Sequence, residues 1–538
     1  MQTIWNVKID GRGMDQLDII ESLLESRGVE EFYEFINPSS NELIPFEKLQ
    51  NIDMAADIIL DTIDNNGTFL VYYDTDCDGI SAGTIMTRYL RHYTDKVKTY
   101  INEGKQHGIE RFDYGNLIEV DTVIIVDSIN EDHNLYRDLI HQGVRVVVVD
   151  HHLIPKKLSE SDVGICLVSS ANNYPNPSLS GSATTWKLCA YIDYLTLNDY
   201  ADSLVDLACC GLIADMCSVG LDSPENRYIC SLGFNNQTNL AIKKINGSYE
   251  FNSQAVSFGI APLINAANRV NDNQTAVNLF LSDDSKEVSK LIKALKADKE
   301  LQNEEVQEKM PELLKQGEAQ LDKKCMYFFV ETDASVGGLI GNKLLEIYKR
   351  PLFVLTTNEN GEYCGSMRSI GLDNFAKIVN DLGVGRCLGH ESAAGAFIPI
   401  DRFEEFKEKI ELELKDVEFK QEVDVDIQLD IQQINEPLIK QLKSINKISG
   451  GNFKPLTVMI SGIKNFEVGS MSNGKHLKFE TPDLTLIKWN CGDVDIDDQA
   501  ELSAIGQLDA SWFGRKFTKQ MIMNDFKLTK QNDYEVIQ

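Results

Sequence analysis

Asp74, Asp76 and Asp78 crowd three carboxylates into five residues (VYYDTDCDG), and Asp127, Asp150-His151-His152 and Asp215 supply further donors downstream. Like charges this close repel unless protons or cations lie between them. Carboxylate oxygens with one or two imidazoles suit Mn²⁺ or Mg²⁺ better than the thiolate-rich sets of structural zinc, so the set reads as a site for two divalent cations. A DxDxDG run can also be a calcium loop, but the EF-hand form needs a Glu six residues after its Gly, where Ile85 stands. Asp150-His151-His152 alone could be a surface turn. Beside the other carboxylates it offers a nitrogen ligand in His151, an imidazole in His152 able to meet a phosphate, and an aspartate able to orient one ring.

Elements must bring these residues together. Residues 67–73 (GTFLVYY), 121–126 (DTVIIV) and 143–149 (GVRVVVV) are short, apolar and β-branched, as strands buried on both faces of a parallel sheet are. Each is followed by an aspartate: Asp74, Asp127 and Asp150. Ligands of open α/β sheets bind beyond the carboxyl ends of the strands, so the three should meet at one rim. The expected fold class is α/β, with a parallel-sheet domain, a long connecting helix, a smaller α/β domain and a C-terminal β-barrel. Residues 1–48 read as a helical lead-in, 49–283 as the metal-binding domain and 284–320 as the connecting helix, whose polar run 285–310 precedes Pro311. Residues 321–415 read as the second α/β domain, 416–450 as a bridging strand and helix, and 451–538 as the barrel.

In the second domain, strands CMYFFV (325–330) and PLFVLT (351–356) flank SVGGLIGNKLLEIYKR. Gly337, Gly338 and Gly341 near a helix start could admit phosphate to backbone amides, or simply allow tight packing. Ser366, Arg368 and Ser369 offer an arginine between two hydroxyls, a clamp of charge-assisted donors for phosphate. From residue 451 onward five short alternating runs recur, with Phe453, Phe466, Trp489, Trp512 and Phe513 available to stack on bases, though most should be core.

With 538 residues, 43% of them hydrophobic, the chain can bury several cores. No apolar stretch approaches the ~20 residues that span a bilayer, and the first residues lack an apolar signal core. A soluble, cytoplasmic protein without membrane association is expected. Eleven cysteines without paired CxxC spacing fit reduced thiols, and Cys77 reads as a spacer inside the acidic loop. The net charge of −31 argues against a phosphate-seeking surface, but it is uneven: residues 321–400 hold 9 acidic and 8 basic residues, and 451–538 hold 12 and 10. Nucleic-acid affinity should be modest and salt-sensitive, helped by a basic or DNA-bound partner.

DTDCDG, VDS, VDHH and GLIAD resemble motifs one to four of the DHH phosphoesterase superfamily, and the rest of the chain resembles its RecJ branch of single-strand-specific 5′ to 3′ exonucleases. Residues 23–39, 179–188 and Pro224–Arg227 resemble stretches of that branch. APLINAANR (261–269) resembles its NAAGR element, GSMRS and LGHESAAG its DHH-associated domain, and GNFKPLTVMISG with GKHLKF its OB-fold. The resemblance implies phosphodiester hydrolysis by two Mn²⁺ or Mg²⁺ ions about 4 Å apart. Asp127 would bridge them, Asp74 and Asp76 would serve one, and Asp78, His151 and Asp215 the other; Asp150 and His152 complete the catalytic set. It assigns Ser366 and Arg368 to the terminal phosphate, and makes Asn265, Arg269, Ser369 and His390 substrate residues. Single-stranded DNA is the implied partner, with a single-strand-binding protein, helicase or other replication or repair protein beside it.

Three departures stand out. Where the branch carries an arginine after its second strand, this chain reads Ile101-Asn102-Glu103-Gly104-Lys105, which leaves Lys105 or His107 to compensate. Asn268 replaces the glycine of NAAGR and Leu388 the first glycine of GGH, and the chain ends soon after the OB-like segment. Two other readings stay open: an enzyme for short oligoribonucleotides or cyclic dinucleotides, and a non-catalytic DNA-binding replication protein.

Overall fold

The computed structural model describes residues 3–104, 115, 119–130, 133–154, 164–331, 334–419, 422–472, 474–492, 500–513 and 516–529. Its contacts divide the chain into two compact units. One gathers Met1–Ile4, Ala266–Asp272 and Lys293–Val423; the other gathers Trp5–Asn265, Asn273–Ile292 and Asp424–Gln538.

The larger unit contains the parallel sheet. After β1 (Ile4–Asp10) come β2 (Phe69–Tyr73), β3 (Val97–Ile101), β4 (Thr122–Val126), β5 (Arg145–Asp150) and β6 (Cys166–Ser169), and the last five pair in the order β3-β2-β4-β5-β6, every pair parallel. Every residue of β2 and β4 is buried, which is why these strands read as continuous apolar runs. One face packs Leu70, Tyr72, Val123, Ile125, Val146 and Val148 against Leu135, Tyr136 and Leu139 of the helix His133–His141. Tyr73 is registered with both Ile101 and Val126, and Val126 with Val149. Asp74 and Asp127 therefore leave the sheet side by side, next to Asp150 at the end of β5.

The smaller unit holds a mixed sheet of β7 (Met326–Phe329), β8 (Leu352–Thr357), β9 (Glu362–Arg368), β10 (Arg386–His390) and β11 (Ala393–Pro399), in the order β10-β11-β9-β8-β7. Alternate residues of β7 and β8 enter two different cores. Tyr327, Phe353 and Leu355 face Phe375 and Phe406, whereas Met326, Phe328, Leu352 and Val354 face Val336, Ile340 and Leu344. Gln316 and Gln320 cover the β7 edge: each side-chain amide both donates to and accepts from one strand residue, Phe329 and Tyr327 respectively, at 2.8–2.9 Å. Edge strands left open invite pairing with other chains, and these two amides occupy the groups that would do so. The connecting helix runs Ser285–Glu318 with Pro311 inside it.

The C-terminal strands differ from expectation. β12 (Glu422–Leu429), β13 (Val458–Ile463), β14 (Glu467–Met471), β15 (His476–Glu480), β16 (Thr485–Lys488), β17 (Glu501–Phe513) and β18 (Lys516–Thr529) join β1 in one eight-stranded sheet, ordered β1-β12-β13-β17-β18-β16-β15-β14. The N-terminal lead-in thus begins with a strand rather than a helix. Trp5 Nε1 donates to Asp525 Oδ2 at 3.0 Å, and Arg27 grips Asp426 through two bonds of 2.8 and 2.9 Å. Sequence near residue 450 could not announce these partners, because they come from the first thirty residues.

Candidate metal centre

Asp74, Asp127 and Asp150 are each 1% exposed or less at the carboxyl rim of the parallel sheet. Asp127 adopts φ +57°, a left-handed conformation that costs roughly 1–2 kcal/mol for most residues and that aspartate tolerates better than most. Its amide donates to Val149 O at 2.8 Å, which holds the turn against β5. Asp76 caps the helix Cys77–Tyr93 by accepting from the amides of Asp78 and Gly79, both at 3.0 Å.

Donor atoms of Asp74, Asp76 and Asp127 lie within 4.8 Å of one another, as do those of Asp127, Asp150, His151 and His152, and those of His151, Asp215 and Cys217. His151 Nε2 lies 3.2 Å from Asp127 Oδ1, 3.7 Å from Asp215 Oδ2 and 3.9 Å from Asp78 Oδ2. Asp127 Oδ1 is buried and, among the described residues, has no partner in hydrogen-bond geometry. Leaving such an oxygen dry and unmatched is costly, and a divalent cation among these oxygens and imidazoles would match it. The donor set fits hard cations.

Asp150 orients the histidines. Its Oδ1 accepts from the amides of His151 (2.6 Å) and His152 (2.8 Å) and from His152 Nδ1 (2.8 Å), while Oδ2 accepts from the amide of Ile129. Burial alone would raise its carboxyl, but the bonds and charge of the two histidines outweigh it and hold Asp150 below the usual range. Burial disfavours charge on His152, yet Asp150, Asp74 and Asp215 raise it to about 9. Asp127 is pushed well up by burial and then by Asp78, Asp76, Asp150 and Asp74, and Asp215 rises to about 6 through burial and Asp78.

Asp78 is held differently from its neighbours. Its two oxygens accept from the amides of Gly181 (2.8 Å) and Ser182 (3.1 Å) at the start of the helix Gly181–Thr196, where the helix dipole favours an anion. Gly181 permits this approach, since a Cβ there would sit 2.3 Å from Asp127 Oδ1. Among the described residues, Asp78 belongs to none of these donor groups, whereas Cys217 belongs to one. The Cys217 thiol donates to Asp215 Oδ2 at 3.5 Å, and burial with Asp215 pushes it well up, so the metal-free protein carries it protonated. Cys217, Gly181 and Ser128, whose hydroxyl donates to Asp74 Oδ1 at 3.3 Å, were not singled out from sequence. Ser128 and Gly181 lie within motif-like stretches; nothing in the sequence pointed to Cys217.

The remaining candidates divide between the units. Within the smaller one, Arg368 ends β9, where its Nε donates to Asn342 Oδ1 at 2.7 Å and Nη1 to Met367 O at 2.8 Å. Burial lowers it, and the nearby charge of Arg269 lowers it further, so two guanidiniums stand close enough to repel. The helix Ala334–Tyr348 approaches so closely that a Cβ on Gly338 would lie 2.7 Å from Arg368 Nη2 and 3.6 Å from Ser366 Oγ. Ser369 is 6% exposed, and among the described residues its hydroxyl finds no hydrogen-bond partner. His390 sits in β10 in register with Ala393. In the larger unit, Asn265 lies in the helix Ala261–Ala267. Lys105 and His107 lie outside the described residues, and so do the side chains of Trp512 and Phe513. Phe453 is core, 4.9 Å from the Phe35 ring, and Phe466 packs on Phe479, which leaves Trp489, 47% exposed.

Known proteins fit this arrangement. The DHH family N-terminal domain matches residues 68–212 and the DHHA1 domain matches residues 322–416. A Bacillus subtilis (strain 168) protein provisionally named the SPbeta prophage-derived single-strand DNA-specific exonuclease YorK is 26% identical over 96% of this chain and 94% of its own length. The single-stranded-DNA-specific exonuclease RecJ of the same organism is 25% identical over 94% of this chain and 67% of its own. Among solved structures, RecJ in complex with Mn²⁺ from Thermus thermophilus superposes with a TM-score of 0.77, covering 97% of this chain and 79% of that one at 21% identity, a likeness of fold. The chain thus carries a DHH family N-terminal domain followed by a DHHA1 domain, is similar over nearly its whole length to single-strand-specific exonucleases, and shares the fold of RecJ.

Proposed function

We propose that this protein is a metal-dependent exonuclease that degrades single-stranded DNA from its 5′ end to mononucleotides. The observation that carries the reading is the buried, unmatched Asp127 Oδ1 among the donor atoms of Asp74, Asp76 and His151. The single-strand exonucleases to which the chain is similar over nearly its whole length support it.

Asp74, Asp76, Asp127, His151 and Asp215 would hold divalent cations, which would supply an acidified water and Lewis-acid polarisation of the phosphodiester. The chain's own residues do the rest. Asp150 engages His152 Nδ1 and fixes the orientation of that ring, so its other nitrogen, when protonated, can donate to a nonbridging phosphate oxygen as charge develops there. Asp78 ties the start of the helix Gly181–Thr196 to the metal loop. In the smaller unit, Arg368, Arg269 and Ser366 form an anion-seeking cluster suited to the terminal phosphate of a strand. The C-terminal strands form an OB-like barrel in this reading, with Trp489 as a stacking surface. Replication or repair proteins that expose single strands are the expected partners.

The test is hydrolysis of single-stranded DNA labelled at either end, with Mn²⁺, beside duplex DNA and a dinucleotide RNA, with Asp127→Ala as control. Mononucleotides should appear first from the 5′ label and be absent in the variant. Activity confined to the dinucleotide would replace this reading with that of a short-substrate enzyme.

A further inference from the structure

Cys217 is chemically out of place beside a centre for hard cations. It is 7% exposed, and its Sγ lies 3.5 Å from Asp215 Oδ2, which in turn lies 3.7 Å from His151 Nε2. A cation with bonds of about 2.0–2.3 Å at tetrahedral angles separates its ligand atoms by about 3.3–3.8 Å. The Cys217–Asp215 and Asp215–His151 separations therefore fit the spacing such an ion requires, and the donor atoms of all three lie within 4.8 Å of one another.

Local structure explains why a residue two positions on shares the site. Asp215 ends the helix Val205–Ala214, and Met216 turns into the left-handed region at φ +56°. Met216 N–H donates to Ile213 O at 3.3 Å and Cys217 N–H to Leu212 O at 3.1 Å, the paired bonds of a Schellman ending. That turn folds Cys217 back onto Asp215. Met216 itself is exposed, so the turn delivers the thiol, not the methionine, to the interior.

We infer that His151, Asp215 and Cys217 form a mixed nitrogen, oxygen and sulfur site that takes a borderline divalent cation of the zinc class at the second metal position. This rests on the two-cation reading above and concerns the selectivity of that same centre. Binding breaks the S–H bond, releases its proton to solvent and forms a metal–sulfur bond in its place, with no change of oxidation state. A thiolate shifts preference from Mg²⁺ and Mn²⁺ towards Zn²⁺, Cd²⁺ and Co²⁺. Zinc then competes with manganese for one of the two positions.

The experiment uses the full-length, reduced, metal-free protein and its Cys217→Ser and Cys217→Ala variants, each checked by thermal unfolding. Cd²⁺ is titrated while the ultraviolet thiolate-to-cadmium band is recorded; separately, Zn²⁺ is added to Mn²⁺-loaded protein while free Mn²⁺ is followed by electron paramagnetic resonance. The wild type should develop the band at the first equivalent and both variants should lack it. Asp215→Asn, which retains the thiol, should weaken it. Zn²⁺ should release Mn²⁺ from the wild type at a concentration about tenfold or more below that needed for the variants. An unchanged band in both Cys217 variants, or equal zinc competition, overturns the inference. A wild type that binds no Mn²⁺ yet gives the Cys217-dependent band would remove the two-cation reading and leave this site standing.

Discussion

The acidic rim of the parallel sheet and the Arg368 edge of the mixed sheet are like-charge clusters of opposite sign, one in each compact unit. At the rim, burial and mutual repulsion push Asp127 and Asp215 up, so ionising these carboxylates is costly without cations beside them. At the Arg368 edge, burial and Arg269 push the guanidinium down, so charge is concentrated where an anion would relieve it. In each place the fold brings together groups that would separate in water, and a ligand of opposite charge would relieve the repulsion. The rim has few soft parts, since its residues end strands or cap helices. The Arg368 edge rests on one long side chain steered by Asn342 and Met367. Changes at the rim should therefore affect chemistry, and changes at the edge should affect binding.

Asp127→Asn should have the largest effect. Removing the charge that two of the donor groups share is expected to lower hydrolysis by at least about a thousandfold while leaving single-strand binding within about twofold, read by steady-state kinetics and by binding to an uncleavable strand. Gly181→Ala drives a methyl group against Asp127 and should destabilise the chain by about 1–3 kcal/mol in denaturant unfolding, with weaker Mn²⁺ affinity. Arg368→Ala should do the converse of Asp127→Asn: KM for single strands rises about tenfold with kcat little changed, and the slope of log affinity against log salt shrinks by about 0.7.

Protons sharpen the contrast further. Asp215 must lose its proton to hold a cation, so Mn²⁺ affinity should fall as pH drops through about 6. Because its folded value lies above the ordinary 3.8, the stability Asp215 contributes without metal is complete below that value and is lost as pH rises through about 6. Added Mn²⁺ should restore the loss, seen as a thermal shift that grows with pH. The smallest effect is Met216→Gly, which suits the left-handed turn and should stabilise the chain by about 1 kcal/mol.

Much of the rim was legible because parallel strands buried on both faces announce themselves as apolar runs, and Asp74, Asp127 and Asp150 directly follow or end them. The βαβ unit of the second domain was legible for the same reason. Cys217 was not, because only a left-handed turn at a non-glycine residue brings it back to Asp215. The pairing of β1 with β12 was hidden by some four hundred intervening residues, and the expected barrel segment proved to share its sheet with both. Phe453 offered a stacking candidate by composition, yet it packs in the core beside Phe35, with the Arg227 guanidinium 5.3 Å from its ring. Contacts between distant segments decided that outcome, and no local pattern encodes them.

The most direct measurement is the number of Mn²⁺ ions bound per chain at neutral pH, by titration of the full-length protein against free Mn²⁺ with Asp127→Asn alongside. Two ions for the wild type and at most one for the variant is the result this account predicts. A wild type that binds none, or a variant that still binds two with unchanged affinity, would contradict the claim that Asp127 and its neighbours are gathered to hold a pair of cations.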